Sequence, residues 1–339
     1  MLRLPNVAVA VLLCLAALCP TAAQVQTPPQ KITVAAGGKG QLNFLPLTLA
    51  EQLGYFKGAG VAVEVLDFQS GTKSVEALIG GSVDLLTGAY EHTLLMQRRN
   101  IRIVSLALLT KSYGAVIAVT KDNASSYKSP ADLKGKNIGV SAPGSAMALA
   151  LEIFLKKNGM SLDDVSVIAI GQSSGAIAAV KYGKVYAISN PDPVISKLLN
   201  DGDIVPIVDT RTEAGMKQLY GGYIAASAIS TTPKFIAERP TAAQGFTTAI
   251  VQALKWMDKA STDDIMAKVP PEYYGQDKAG YRQALEAYRS NFSTDGRVTP
   301  ELANNTFEML KVGPLAKATN ITMEGTYEAS FVEKANAGR

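Results

Sequence analysis

At 339 residues, 47% hydrophobic and 18% charged, the chain can bury one large core or two modest ones. Its formal charge of +4 is spread without a basic run or aromatic–basic interleaving, which leaves a nucleic-acid surface without support. Both cysteines, Cys14 and Cys19, lie near the N-terminus and His92 is the sole histidine. The chain beyond residue 19 therefore has no disulfide, thiolate nucleophile or thiolate metal site, and a zinc centre or Ser-His-Asp triad is disfavoured.

The chain opens with Arg3 and an apolar run from Val7 to Leu18, followed by Thr21-Ala22-Ala23 before Gln24. This reads as a secretory signal peptide over residues 1–23, cleaved near Ala23 and too short for a comfortable membrane span. Leucine precedes each cysteine where a lipidation signal has a small residue, so free export to the periplasm is expected rather than a lipid anchor. A Pro-containing linker, 24–30, leads to a strand at Ile32–Ala35 and a glycine loop, Gly37-Gly38-Lys39-Gly40. A helix comes next, with Leu45, Leu49, Ala50 and Leu53 on one face and Gly54 as its stop.

Residues 67–91 organise the rest of the chain. Val61–Phe68 is a strand, and Gln69-Ser70-Gly71 a polar turn. Thr72 is an expected N-cap for a short helix with Val75, Leu78 and Ile79 on one face, ended by Gly80-Gly81. Val83, Leu85 and Leu86 begin another strand, which ends at Gly88-Ala89-Tyr90-Glu91. In a parallel sheet both glycine loops fall at the carboxyl ends of strands, where small ligands bind.

Ile101–Leu109 and Gly114–Thr120 are β-rich, and the crossover to a second unit is expected near 111–120. Ser129-Pro130-Ala131-Asp132 is a capped helical turn before the strand Asn137–Ser141. Helices at 145–157, 176–182 and 194–199 alternate with strands at 165–170, 185–189 and 204–208, and Tyr223–Ser230 returns to the first unit. From Thr232 the chain is helical (242–259, 263–268, 277–290, 300–310), and these helices are expected on the first lobe. Trp256, Tyr273, Tyr274, Tyr281 and Tyr288 are expected to pack rather than to touch a ligand.

The first unit repeats. Gln69-Ser70-Gly71 is echoed by Gln172-Ser173-Ser174-Gly175, and the strand and loop at 31–40 by those at 136–145. Two like α/β lobes facing each other across a cleft use such a repeat most simply, with lobe 1 at 31–115 and 224–339 and lobe 2 at 116–223.

With these pieces in order, the sequence resembles the periplasmic substrate-binding proteins of ABC importers in the nitrate/sulfonate/taurine/thiamine-precursor (SsuA/THI5-like, NMT1-like) family. The markers are Pro46-Leu47, Ala50 and Gly54-Tyr55-Phe56; Gly60-Val61, Val63 and Val65; and Phe68 with Ser70-Gly71. They continue with Ala77-Leu78, Gly81, Val83-Asp84, Ser129, Asp132-Leu133-Lys134-Gly135-Lys136 and Asp209-Thr210-Arg211-Thr212-Glu213-Ala214-Gly215. The resemblance covers about 31–310. It implies a two-lobed type II binding-protein fold that closes on one small solute, with permease and ATPase subunits of an inner-membrane importer as partners. It departs at Tyr186, where the family usually has an acid, and in the polar run Gly88 to Thr93, which weakens a sulfonate assignment.

The expected ligand residues are Gly38, Lys39, Asn43, Ser70, Gly71, Thr72, Gly88, Tyr90, Glu91, Gly144, Ser145, Gln172, Asn190 and Asp192. The loops 70–72 and 144–146 present N–H groups at helix N-termini, which favours an anionic or strongly polar oxygen group. Glu91 reads either as a partner for a cationic nitrogen or as a surface acid or helix cap; if buried, it needs a cation, from a bound solute or a neighbouring Arg or Lys. Tyr90 reads as a stacking ring or as hinge packing, and His92 as a structural residue. Asn190 and Asp192 lie in a stiff loop that would close over the solute. No catalytic residue, metal, cofactor or nucleic acid is expected, and a monomer is. An enzyme of the thiamine-pyrimidine synthase type is the alternative. Its resemblance implies a cysteine-rich iron site and a cytosolic setting. A ligand-sensing domain would use the same pocket.

Overall fold

The computed structural model describes residues 1–2 and 28–338; apart from its first two residues, the expected signal peptide lies outside the described residues. The first half of the chain builds β1 (Gln30–Gly37), α1 (Leu45–Gln52), β2 (Val61–Phe68), α2 (Gly71–Ile79), β3 (Leu85–Ala89) and β4 (Val104–Leu108). Next come β5 (Val116–Thr120), β6 (Asn137–Val140), α3 (Ala146–Lys157), β7 (Ser166–Ala169), α4 (Ser174–Lys181), β8 (Ala187–Asn190) and α5 (Val194–Asn200). The last group is β9 (Ile204–Asp209), α6 (Glu213–Tyr220), β10 (Ser227–Thr231), α7 (Pro240–Lys259), α8 (Lys278–Tyr288), α9 (Pro300–Val312) and α10 (Ala329–Asn336).

These strands form two five-stranded sheets of the same plan, β2-β1-β3-β10-β4 and β7-β6-β8-β5-β9. β1 pairs in parallel with β2 and β3, and β6 with β7 and β8. The fourth position is antiparallel in both sheets, so each is mixed rather than purely parallel. β10 fills it in the first sheet and β5 in the second. The repeat read from the glycine loops is thus a repeat of topology, and each lobe takes its fourth strand from beyond the crossover. The inner strands β3, β5 and β10 are buried along their whole lengths, whereas the edges β2, β7 and β9 expose part of theirs; the remaining edge, β4, is buried because α7 and α10 pack on it.

Asp84 shows how the first unit is held. Its carboxylate accepts from Thr33 N at 2.9 Å and pairs with Arg239 at 3.0 Å, tying β1 to the start of α7. Tyr186 takes the equivalent place in the second unit, where its hydroxyl meets Ser126 at 3.0 Å and Lys136 lies over its ring.

Two expectations are corrected. The N-cap of α2 is Ser70, whose hydroxyl accepts from Lys73 N; it leaves Thr72 Oγ1 to donate across the cleft. The C-terminal helices do not all pack on the first lobe. α7 and α10 do, and α8 shares the first lobe's apolar core through Tyr281, Leu285 and Tyr288 while also meeting α5 of the second; α9 packs on α3, in the second lobe. One apolar core accordingly runs through the hinge, joining Tyr90 and Leu108 to Tyr113, Val140, Leu219 and Ala303. α6 and α10, unforeseen from the sequence, complete the set.

Gly215 in the first turn of α6 offers a sharp check. Its N–H caps onto Thr212 Oγ1 at 3.1 Å, and a Cβ there would collide with the Asp209 carbonyl oxygen. Gly215→Ala is expected to cost about 3 kcal/mol, read as a lowered urea midpoint with unchanged slope.

Candidate functional site

The loops at the carboxyl ends of β1, β2 and β3 face those of β6, β7 and β8, and the candidate residues gather there. The nearest approach depends on glycine. A Cβ on Gly37 would lie 2.6 Å from the Ser70 carbonyl carbon, so only glycine lets the end of β1 rest against the turn before α2. Gly38 and Lys39 turn their N–H groups inward onto Asp67 Oδ1, at 3.1 and 2.7 Å. Gln41 then sends its amide to the Gly37 carbonyl and across the cleft to Gln172 Oε1.

α2 and α3 begin opposite each other. Thr72 Oγ1 lies 3.4 Å from the Pro143 carbonyl, and a Cβ on Gly144 would lie 3.8 Å from that same hydroxyl. Ser145 caps α3 by accepting from Ala148 N at 3.2 Å, and its own hydroxyl receives Ser141 Oγ at 2.7 Å. Among the described residues, the N–H groups of Gly71, Thr72, Ala146 and Met147 meet no protein acceptor. Two positive helix ends therefore converge on one gap. His92 stands at its edge, with Nε2 3.7 Å from where a Cβ on Gly71 would be and Cδ2 3.9 Å from one on Gly88. Burial lowers the imidazole to about 4, so it is neutral at physiological pH.

Asn43 and Asn190 border the same region from the two lobes. Each spends its amide N–H, Asn43 on Ser227 Oγ at 2.9 Å and Asn190 on the Gly171 carbonyl at 3.1 Å. Each keeps a buried side-chain oxygen without a partner. Tyr90 is corrected: its ring is fully buried in the hinge core and its hydroxyl meets Thr326 at 2.8 Å, which leaves no face for a solute. Asp192 is committed elsewhere. It pairs with Arg211 at 3.2 Å and caps α5 through Ser196 N at 2.8 Å; burial pushes its carboxyl up and the guanidinium pulls it back.

Glu91 is buried, but its partner is neither Arg nor Lys. It accepts from the Tyr113 hydroxyl, in the crossover between β4 and β5, and the unpartnered Tyr220 hydroxyl is near enough to feel its charge. Burial pushes the carboxyl up to about 7. Gln41, Tyr113 and Tyr220 carry cleft and hinge contacts that no glycine turn or periodic stripe marks, and Arg211 stands out in the sequence only as part of the marker at 209–215.

A cavity of about 610 Å³ opens just outside the Gln41–Gln172 bridge. Tyr273, Tyr274 and Tyr281 line it together with Lys39 and Asp67, so these tyrosines do more than pack. Among the described residues, no group of three or more His, Cys, Asp or Glu side chains converges as for a metal.

Two sheets of one plan, joined by crossovers and meeting through ligand-side loops, define the two-lobed α/β fold of periplasmic binding proteins. Residues 41–260 match the NMT1/THI5-like family, and the chain belongs to it. A solved structure from Bordetella bronchiseptica RB50 is 38% identical, covering 92% of this chain and 98% of its own, with a TM-score of 0.87. The alkanesulfonate-binding protein SsuA from Xanthomonas axonopodis pv. citri, bound to MOPS, superposes with a TM-score of 0.69 at 18% identity over 90% of this chain and 100% of its own. The 4-amino-5-hydroxymethyl-2-methylpyrimidine phosphate synthase of Schizosaccharomyces pombe is 30% identical over 145 residues. That match spans 42% of this chain and 40% of the synthase.

The neighbours Glu91 and His92 make opposite demands on pH. Glu91 is raised from 4.5 to about 7, so its contribution to stability is lost as pH rises through that window. His92 is lowered from 6.5 to about 4, so its contribution is lost as pH falls through its own. Each is worth roughly 3 kcal/mol and they offset between pH 4.5 and 6.5. Glu91→Gln is expected to gain on the parent by roughly 3 kcal/mol from pH 4.5 to 7 in urea unfolding at stepped pH. A constant difference would mean that Glu91 titrates normally.

Proposed function

We propose that the chain is the extracytoplasmic solute-binding component of an ABC importer. It takes one small polar or anionic organic solute of the sulfonate, taurine, nitrate or pyrimidine-like class between its lobes and delivers it to the permease. The observation that carries this reading is the convergence of α2 and α3, whose first-turn N–H groups leave four donors at one gap. Such donors, at two positive helix ends beside a neutral imidazole, suit an oxyanion. Asn43 and Asn190 add unpartnered amide oxygens from either lobe, which suit a donor group on the solute rather than its oxyanion. Periplasmic residence rests on the expected leader, and the permease and ATPase subunits rest on the family reading.

The similarity to the pyrimidine phosphate synthase supports a second reading, an enzyme on this scaffold. It weighs less, because the likeness spans under half of either chain and no cysteine occurs after residue 19. The two part in one experiment. Residues 24–339 are screened by thermal shift against short sulfonates, nitrate, carboxylates and aminopyrimidines, with mass spectrometry for any product. A ligand at about a hundred times its Kd adds about 2.7 kcal/mol. A carrier shifts the melting temperature with one class and returns it unchanged, whereas turnover would overturn the carrier reading.

Thr72→Asp tests the anion directly. A carboxylate in the first turn of α2 favours the helix dipole but repels an anionic guest. The unliganded protein is expected to melt no lower, while anion affinity falls by at least about tenfold in calorimetry.

A further inference from the structure

The cavity outside the Gln41–Gln172 bridge has a composition of its own. Its first-lobe wall sets three tyrosines among the charged side chains of Lys39, Asp67, Glu272 and Asp277. Tyr273 is held by its hydroxyl against Thr48 Oγ1 at 3.1 Å, and its ring stands 3.7 Å from where a Cβ on Gly40 would be. Tyr274 and Tyr281 form a tilted pair with ring centroids 6.1 Å apart. Tyr281 is 2% exposed, and its buried hydroxyl has no partner. The facing wall comes from the second lobe and sets Ile177 on α4 and Val194 on α5 beside Ser173, Ser174 and Lys197. At about 610 Å³ the space falls within the range of small-molecule sites.

Its inner end is polar and close to the paired helix N-termini. Gln41 forms part of the cavity wall and bonds the Gly37 carbonyl, and Gly37 is pressed against the turn that starts α2. The Gln41–Gln172 bridge thus stands between the helix-end gap and the cavity.

We propose that this cavity is an aryl subsite, so that the solute has two parts: an acidic head between α2 and α3, and a flat aromatic body between Tyr273, Tyr274 and Tyr281 on one lobe and Ile177 and Val194 on the other. The head rests on the carrier reading above; the aryl subsite rests on the cavity alone. Tyrosine rings offer offset or edge-on packing to a flat ring, beyond the area they bury. Because the walls belong to different lobes, a ring lodged there touches both and favours their approach. A short solute would engage the helix ends and leave the tyrosines untouched.

The test is calorimetry on residues 24–339 with three probes: naphthalene-2-sulfonate, ethanesulfonate and the uncharged 2-naphthol. The aryl sulfonate is expected to bind at least about tenfold more tightly than the alkyl one. Ile177→Trp, which fills the cavity from α4, should collapse that ratio toward one. Tyr274→Ala, at a half-buried position, should also reduce it and serves as the measure if the tryptophan variant fails to fold by circular dichroism. If 2-naphthol binds and neither sulfonate does, the aryl subsite stands and the anionic head fails. If ethanesulfonate binds as tightly as its aryl counterpart, if no aryl probe binds, or if the folded variants leave the ratio intact, the aryl subsite is overturned.

Discussion

Everything in this molecule depends on the strand that each sheet takes from beyond the crossover. β10 is hydrogen-bonded between β3 and β4, and β5 between β8 and β9. Neither is an edge, so each sheet holds this strand by two ladders. The chain passes between the sheets in the stretches that link β4 to β5 and β9 to β10. Tyr113 and Tyr220 lie in or beside those stretches, and both sit with Glu91, where the first sheet meets the hinge. The core that joins the two halves passes through the same place.

The sequence was most legible where local chemistry decides structure. Glycine turns after strands, a serine or threonine before a helix and alternating valines place the elements from β1 to β9 to within a few residues. The repeated Gln-Ser turn foretold two sheets of one plan. The sequence also foretold the return of the strand at 223–230 to the first unit, but not that β5 and β10 run antiparallel, because strand direction is set by distant pairing and leaves no mark within either strand.

The site was legible in its glycines and less so in its long side chains. Ser70, Gly71, Thr72, Gly144 and Ser145 are all where two helices start opposite each other. The cap itself moved from Thr72 to Ser70, since either can serve and only the path of the chain chooses. Tyr90 and Asp192 look like cleft residues by position but turn into the core and toward Arg211. Glu91 reads from the sequence as a partner for a cation or as a surface acid or cap; it is buried instead, and it accepts from a tyrosine hydroxyl 22 residues away. The three tyrosines of the outer cavity were visible as a cluster, but nothing in their spacing tells packing from a wall.

The contacts that span the cleft mouth, Gln41 to Gln172 and Thr72 to Pro143, join neutral groups. Among the described residues every ion pair lies within one side of the cleft. Dissolved salt screens charges over about 10 Å at 0.1 M but barely alters a neutral amide pair. These two contacts across the cleft mouth therefore keep their strength in dilute and in salty surroundings alike.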